Sequence, residues 1–408
     1  MPGIRKGVDD KLRYFNTATG LELPDGDRIY AEHMARYMLG EPESMIISST
    51  LLTEFTDQYK YVNRFLPVWK ISFDDDREMD IYVETGQSRF ATFNDRGRKA
   101  FIRVFSTFHN WGFMDMIANN TVRIAVMVAF LSLIILSAVA GVMVYGLMWK
   151  KFKTGRSGNR RGMLRKYHRS IGIWCSIFTF AFAFSGAYHA VQKLDPDQRQ
   201  KYIYDPVIKT EEIAQASMID LKGVSNIGLI KWGKNIFWQT VRKDWETDKT
   251  IVDYINIRDG QKLDDGNIRF AKYLARKFAA QEARNAESCC DLMEAQISSP
   301  ISDAEVEKAS LVTTFAGEYG FVNKRLPVVK LAYDTPQHTT YYIETTTGRL
   351  AAKVEDHDRR EGFSFAFFHK YSGLDFLGKN ARDGVMTAAA ASVLIVSVLG
   401  LLVFLKIK

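Results

Sequence analysis

Seven histidines punctuate the sequence: His33, His109, His168, His189, His338, His357 and His369. A neutral imidazole offers a nitrogen lone pair to a metal, and near neutral pH it also takes up a proton, so each is a candidate for chemistry. Four have surroundings that set them apart. His168 and His189 bracket one long apolar run, about 31 Å apart on a helix rising 1.5 Å per residue. Between them His168, Gly172, Cys175, Thr179, Phe182, Gly186 and His189 alternate spacings of four and three, which keeps both rings near one helix face. Small residues on that face let a flat cofactor or another backbone approach closely. Histidine nitrogens ligate haem iron, and an electron-transfer haem takes two of them from facing helices.

His109 and His369 form the second pair. Each ends a Phe-x-x-Phe-His segment, with Phe105 and Phe108 before one and Phe365 and Phe368 before the other, and each precedes an apolar run. These placements put His109, His369 and His189 at one membrane edge and His168 at the other. An aromatic segment beside a membrane span is also what an interfacial belt looks like, and a histidine in one snorkels to the headgroups. The residues alone leave both readings open. Lys166, Arg169, Arg123, Lys370 and Arg382 are placed to meet either haem propionates or lipid headgroups. No nucleophile elbow, Walker loop, HExxH or dinucleotide fingerprint occurs, so a soluble-enzyme active site is not indicated.

The elements that must position these histidines are membrane helices. Ile124 to Met148, Ile171 to Val191 and Gly384 to Leu405 carry no Asp, Glu, Lys or Arg, and each meets the roughly 20 residues a bilayer core requires. The net charge of +8 is concentrated: Lys150 to Arg169 holds nine Lys or Arg and no acid, leaving the remainder near neutrality. A nucleic-acid footprint would spread over a domain or helix face, so this pattern argues against nucleic acid and reads as a cytoplasmic loop under the positive-inside rule. The expected organisation is a soluble region at 1–121, spans at 122–148, 170–191 and 384–405, a basic cytoplasmic loop at 149–169 and a second soluble region at 192–383. Both soluble regions then lie on the opposite, periplasmic side of a bacterial inner membrane. They explain a mean hydropathy of only −0.16. Cys175 lies within a span and Cys289 and Cys290 are adjacent, so neither a disulfide scaffold nor a CxxC redox motif is expected.

The chain also repeats itself. Leu51 to Arg123 overlies Leu311 to Asp383 without a gap, matching Phe55 with Phe315, Tyr59 with Tyr319, Pro67 with Pro327, Glu84 with Glu344, Arg89 with Arg349 and His109 with His369. His33, His338 and His357 have no such counterpart and read as solvated surface. Further upstream Asn16 to Arg36 matches Asn256 to Arg276, so Met1 corresponds to about Thr240 or Val241. The first copy then lacks a partner for the span at 170–191, and the first soluble region lacks the signal its export requires. The expectation is a four-span protein of which this chain carries three spans. Within the repeat, Asp303 to Tyr319 reads as a helix behind a Ser302/Glu305 capping box. Pro327 to Tyr333, Thr339 to Thr345 and Arg349 to Glu355 read as strands, as do Val68 to Phe73, Asp80 to Glu84 and Arg89 to Phe93. An earlier hairpin, Phe237 to Lys243 with Ile251 to Ile257, is assigned Asp259 and Gly260 as its turn, followed by a helix from Ile268 to Ala283.

Tyr167, His168, Arg169 and Gly172, leading into a span that ends Ser185, Gly186, Ala187, Tyr188, His189, resemble the LHR-x-x-G … TGA helix of the PepSY-associated transmembrane family. The Phe-x-x-Phe-His segments and the hairpin from Tyr341 to Arg349 are similar to that family's other pieces and its PepSY modules. The resemblance implies a membrane α-helical bundle with periplasmic α+β PepSY-like domains and an internal duplication. The family includes iron-regulated inner-membrane proteins and ferric siderophore reductases, in which four spans hold b-type haems and pass electrons to a periplasmic ferric complex. By position it implies His168, His189, His109 and His369 as haem ligands. Two features depart from it: the first span is absent, and Ser185 stands where the family commonly has Thr. Two functions follow as expectations. One is a haem b electron-transfer protein delivering electrons to a ferric siderophore from a quinol or cytoplasmic donor. The other is a membrane-anchored PepSY module that binds a periplasmic protein or peptidase without redox chemistry.

Overall fold

The computed structural model describes residues 3–6, 12–154, 160–194, 202–214, 217, 219–244, 246, 249–287, 301 and 304–405. It opens with a three-stranded antiparallel sheet, β1 (Gly3–Lys6), β2 (Leu12–Phe15) and β3 (Glu22–Leu23), followed by helix α1 (Gly26–Leu39). A four-stranded antiparallel meander follows: β4 (Ile46–Leu52), β5 (Val68–Phe73), β6 (Asp80–Glu84) and β7 (Arg89–Asn94). Alternation along these strands turns Ile71, Phe73, Ile81 and Val83 toward Ala31 and Ala35 of α1, forming the first core. Helix α2 (Arg96–Phe108) starts where the Asp95 carboxylate accepts from Arg98 N, and a 3₁₀ turn at Gly112–Met116 leads into α3 (Asn120–Leu147).

After α3 come the short helix α4 (Trp149–Thr154) and the long α5 (Arg160–Val191). Much of the basic stretch expected as a loop is therefore helical. Between α5 and the last long helix lie a three-stranded sheet, β8 (Val224–Trp232), β9 (Asn235–Asp244) and β10 (Lys249–Asn256), then α6 (Gly266–Glu287) and a second meander. That meander comprises β11 (Val306–Val312), β12 (Val328–Tyr333), β13 (Thr340–Glu344) and β14 (Arg349–Val354). Helix α6 buries Phe270, Leu274 and Phe278 among residues of both sheets, so one core spans them. Helix α7 (Asp356–Ser364), a π-helical turn at Phe365–His369 and a 3₁₀ turn at Ser372–Leu377 lead to α8 (Lys379–Leu405).

Two expectations need correction. Asp303 to Tyr319 does not form a helix: Val306–Val312 pairs antiparallel with β12, from Val306 opposite Tyr333 to Val312 opposite Val328. A capping pattern is local and is worth about 1 kcal/mol, whereas the edge of β12 presents a row of backbone groups that need partners. Ser302 and Asp303 of the expected capping box lie outside the described residues, as do Cys289 and Cys290. Asp259 and Gly260 are also not the β9–β10 turn. That hairpin closes between Asp244 and Lys249, while Gly260, at φ +68°, folds back to donate to the Asn256 carbonyl at 3.0 Å and redirects the chain toward α6.

The two meanders share strand order, and the β-bulges at Ile46/Ser48 and Tyr82/Val83 reappear at Val306/Lys308 and Tyr342/Ile343. A buried ionic cluster joins them. Glu344, fully buried on β13, contacts Arg325 at 2.7 Å and, from the other meander, Arg89 at 2.5 Å. Arg64 donates to the Val322 carbonyl at 3.2 Å, and the Arg89 and Arg325 guanidiniums both lie over the Phe65 ring. Arg325 stands in the second matching segment where Phe65 stands in the first, so the junction is asymmetric although the meanders match.

Three helices are long and apolar enough to cross a membrane: Asn120–Leu147, Gly162–Val191 and Lys379–Leu405, with mean hydropathies of 2.6, 1.5 and 2.7. Each begins several residues before its uncharged run. Only 6% of the apolar window of α3 and of α8 is buried within the protein, and exposed apolar surface on that scale calls for lipid. Helix α5 lies between the other two. A Cβ on Gly186 would stand 3.8 Å from Leu131 of α3, and one on Gly172 would stand 3.7 Å from Val396 of α8. The two glycines of the histidine ladder thus face both neighbouring helices.

Candidate functional site

The structure brings three of the four singled-out histidines together and leaves the fourth at the far end of α5. His189, in the last turn of α5, stacks on Phe365 with ring centroids 4.4 Å apart. His369, which ends the π-helical turn, stacks on the same ring at 4.7 Å. His109, the C-cap of α2, meets His369 edge to face at 5.9 Å and stacks on its own Phe105 at 4.5 Å. Phe365 is thus the spacer of the cluster, and its place in Phe-x-x-Phe-His is what lets one aromatic ring hold two imidazoles.

For His168 and His189 the hydrogen-bond partners fix which ring nitrogen carries the proton. His189 Nδ1 lies 2.5 Å from Glu361 Oε1 of α7, and a carboxylate only accepts. His168 Nδ1 lies 3.2 Å from the Val396 carbonyl of α8, again an acceptor. His369 Nδ1 lies 3.2 Å from Ser185 Oγ, a hydroxyl able to donate or accept, which also lies 2.7 Å from the Ala181 carbonyl. His168 and His189 therefore donate through Nδ1–H to fixed acceptors, and Nδ1 is also the hydrogen-bonded nitrogen of His369. Burial, reinforced by His109, His189 and Lys370, pulls the His369 pKa down to about 4. Burial also lowers that of His109. Both rings are neutral at pH 7, as metal ligation requires.

His168 depends on a glycine. A Cβ on Gly400 would come within 3.1 Å of His168 Cε1, so any larger residue there would press on the ring as it lies over α8 and reaches the Val396 carbonyl. The remaining histidines sit as the sequence suggests. His338 pairs with Asp356 at 2.9 Å on the surface, His357 lies beside Glu355 and Asp358, and His33 is exposed. Among the suggested propionate partners, Arg382 is held by Asp375 and Asp383, Arg169 lies over Phe152, and Lys370 lies over Phe365.

Among the described residues no group of three or more His, Cys, Asp or Glu is arranged to hold a bare metal ion. A haem asks less of the protein, because the porphyrin supplies four nitrogens and the chain only one or two axial ones within apolar walls. His168, His189 and His369, each anchored through Nδ1, are the side chains that could supply such nitrogens. An apolar cavity of about 650 Å³ opens beside the cluster between α3, α5 and the turns before α8, lined in part by Phe178, Phe367, Phe368 and Tyr371. None of the four histidines lines it.

A family model described as the PepSY-associated TM region matches residues 48–406. The chain belongs to that family. No curated protein and no solved structure matches it. The PepSY-associated match runs from β4 to the end of α8, and so takes in both meanders, all three membrane-length helices and all four histidines.

Sequence reasoning missed Glu361, Val396 and Gly400 and saw Ser185 only as a departure from a motif. Glu361 had one visible signal. It is the single acid in the segment from Glu361 to His369, eight residues before His369 and four before Phe365, on their helix face. The matching position in the first copy is Phe101, which stacks on Phe105 at 5.6 Å.

Proposed function

We propose that this protein is a haem b-containing electron-transfer protein of the bacterial inner membrane. It carries single electrons outward to a periplasmic ferric complex of the siderophore type, drawn from a quinol or a cytoplasmic donor. The observation that carries this reading is the anchoring of His168, His189 and His369 through Nδ1, each to a protein partner, which leaves Nε2 as the nitrogen for a metal. A haem bound there supplies one-electron chemistry. Helix α5 fixes the separation of the two ligand levels, with His168 toward one face of the bilayer and the His109, His189, His369 cluster toward the other. Gly400 and Phe365 set the planes of the rings. The basic stretch from Lys150 to Arg169 directs the His168 end to the cytoplasm, so the cluster and both PepSY-like regions face the periplasm. The matching meanders and the matched pair His109 and His369 are what a duplicated ancestor would leave.

The test is optical. Purified protein expressed with excess haem should show a dithionite-reducible Soret and α-band, and His168→Ala and His369→Ala should each diminish it. Colourless protein would overturn the reading and leave a membrane-anchored PepSY module that binds a periplasmic protein or peptidase.

A further inference from the structure

Of the three oriented imidazoles, one differs from the others in what holds it. His168 donates to a backbone carbonyl at 3.2 Å and His369 shares a hydrogen bond with a hydroxyl at 3.2 Å, both neutral partners. His189 donates to a carboxylate at 2.5 Å. Charge-assisted hydrogen bonds are shorter and roughly twice as strong as neutral ones. A carboxylate behind a ligating imidazole raises its basicity and fixes its orientation.

Glu361 is placed for this and for little else. Its side chain is 16% exposed, it projects from α7 across to α5, and among the described residues its carboxylate is hydrogen-bonded to His189. On the same helix side, one turn further on, Phe365 stacks flat on the His189 ring, so α7 and the π-helical turn grip the imidazole by its edge and its face together. The first copy places Phe101 where Glu361 stands, and so has no equivalent grip.

We propose that Glu361 is a positioning residue for His189: it locks the ring as the Nδ1–H tautomer with Nε2 free and makes His189 the most electron-donating of the axial ligands. This rests on the reading of His189 as a haem ligand. Its consequence is an ordering of potentials. Electron density pushed onto the imidazole favours ferric iron, so a haem ligated by His189 is lower in potential than one ligated only through His168 or His369.

Glu361→Gln keeps the shape and a hydrogen-bond acceptor but removes the charge. Two readouts separate the parts of the argument. In haem-free protein labelled with ¹⁵N-histidine, the His189 Nδ1 resonance should move in Glu361→Gln while those of His168 and His369 stay. An unmoved resonance overturns the anchor itself. In haem-loaded protein, potentiometric titration should show one haem shifted upward by about tenfold in its reduction equilibrium, or about 59 mV for one electron, and Glu361→Asp should restore it in part. If haem binds and every potential is unchanged, the tuning role is refuted while the proposed function stands. If no haem binds but the resonance moves, the proposed function fails and the anchor stands.

Discussion

Removing the charge of Glu344 tests whether the two meanders are held together by the buried cluster. Glu344 is fully buried, and its carboxylate faces Arg325, 9% exposed, and Arg89, 17% exposed, with a further hydrogen bond from Thr347. Burial alone would raise its pKa, but Arg325 and Arg89 outweigh that and hold it below the ordinary value. Glu84, its repeat counterpart, faces the same arginines, yet burial dominates there and its pKa is raised. In Glu344→Gln the guanidiniums of Arg89, Arg325 and Arg349 lose their shared carboxylate, leaving Glu84 beside all three and Asp205 beside Arg349. Breaking a buried pair by removing one partner costs about 3–5 kcal/mol, which is roughly 10²- to 10⁴-fold in an opening equilibrium. Hydrogen exchange of the full chain in detergent reads this locally: amides of β13 and β6 should exchange faster by that factor while those of α3 and α8 are unaffected. Arg89→Gln should loosen the junction between the meanders and leave β13 protected, because Arg325 still neutralises Glu344. Unchanged exchange of β13 in Glu344→Gln would show that the cluster does not hold the sheets, and the reasoning would fail.

Other outcomes follow from the same geometry. Gly400→Leu should displace the His168 ring and break its bond to the Val396 carbonyl, seen as a changed His168 Nδ1 resonance in haem-free protein with the α-helical circular dichroism retained. Tyr59→Phe and Tyr319→Phe each remove a buried hydroxyl that donates to a carbonyl, that of Phe65 at 2.9 Å and that of Arg325 at 2.7 Å. Each should cost about 1–3 kcal/mol in thermal or denaturant unfolding, and a much larger loss in one than the other would contradict the equivalence of the two sites. Glu318 is partly buried, which opposes ionisation, but hydrogen bonds from Lys330, Tyr342 and Arg359 hold its pKa down to about 2. A carboxylate depressed on folding stabilises above its unfolded pKa of about 4.3. The stability gap between wild type and Glu318→Gln should therefore be full at pH 6 and shrink as pH falls from about 4.5 toward 2. Gly348→Ala should destabilise the β13–β14 turn, because a Cβ there would stand 2.4 Å from the Tyr204 carbonyl oxygen at a φ of +62°. Proteolytic nicking near Tyr204 would report it.

The local features of this protein were legible from the sequence because their causes are local. Uncharged runs of sufficient length marked α3, α5 and α8, and β-branched alternation marked β5–β7 and β12–β14. The four-and-three ladder from His168 to His189 and the repeated Phe-x-x-Phe-His pointed to four histidines out of seven, and placed three of them at one end. The strand β11 was misread because its conformation is decided by the exposed edge of β12 rather than by its own residues. What only the tertiary structure decided is the hydrogen-bond partners of those histidines. The acceptor for His189 lies 172 residues away and that for His168 lies 228 residues away, and no periodicity in a sequence relates such positions. The same holds for Arg89 and Glu344, whose attraction matters only after two sheets have excluded water from between them. Sequence fixes where a side chain sits on its own helix or strand. Which nitrogen carries the proton, and which charge is neutralised, depend on partners that distant segments deliver.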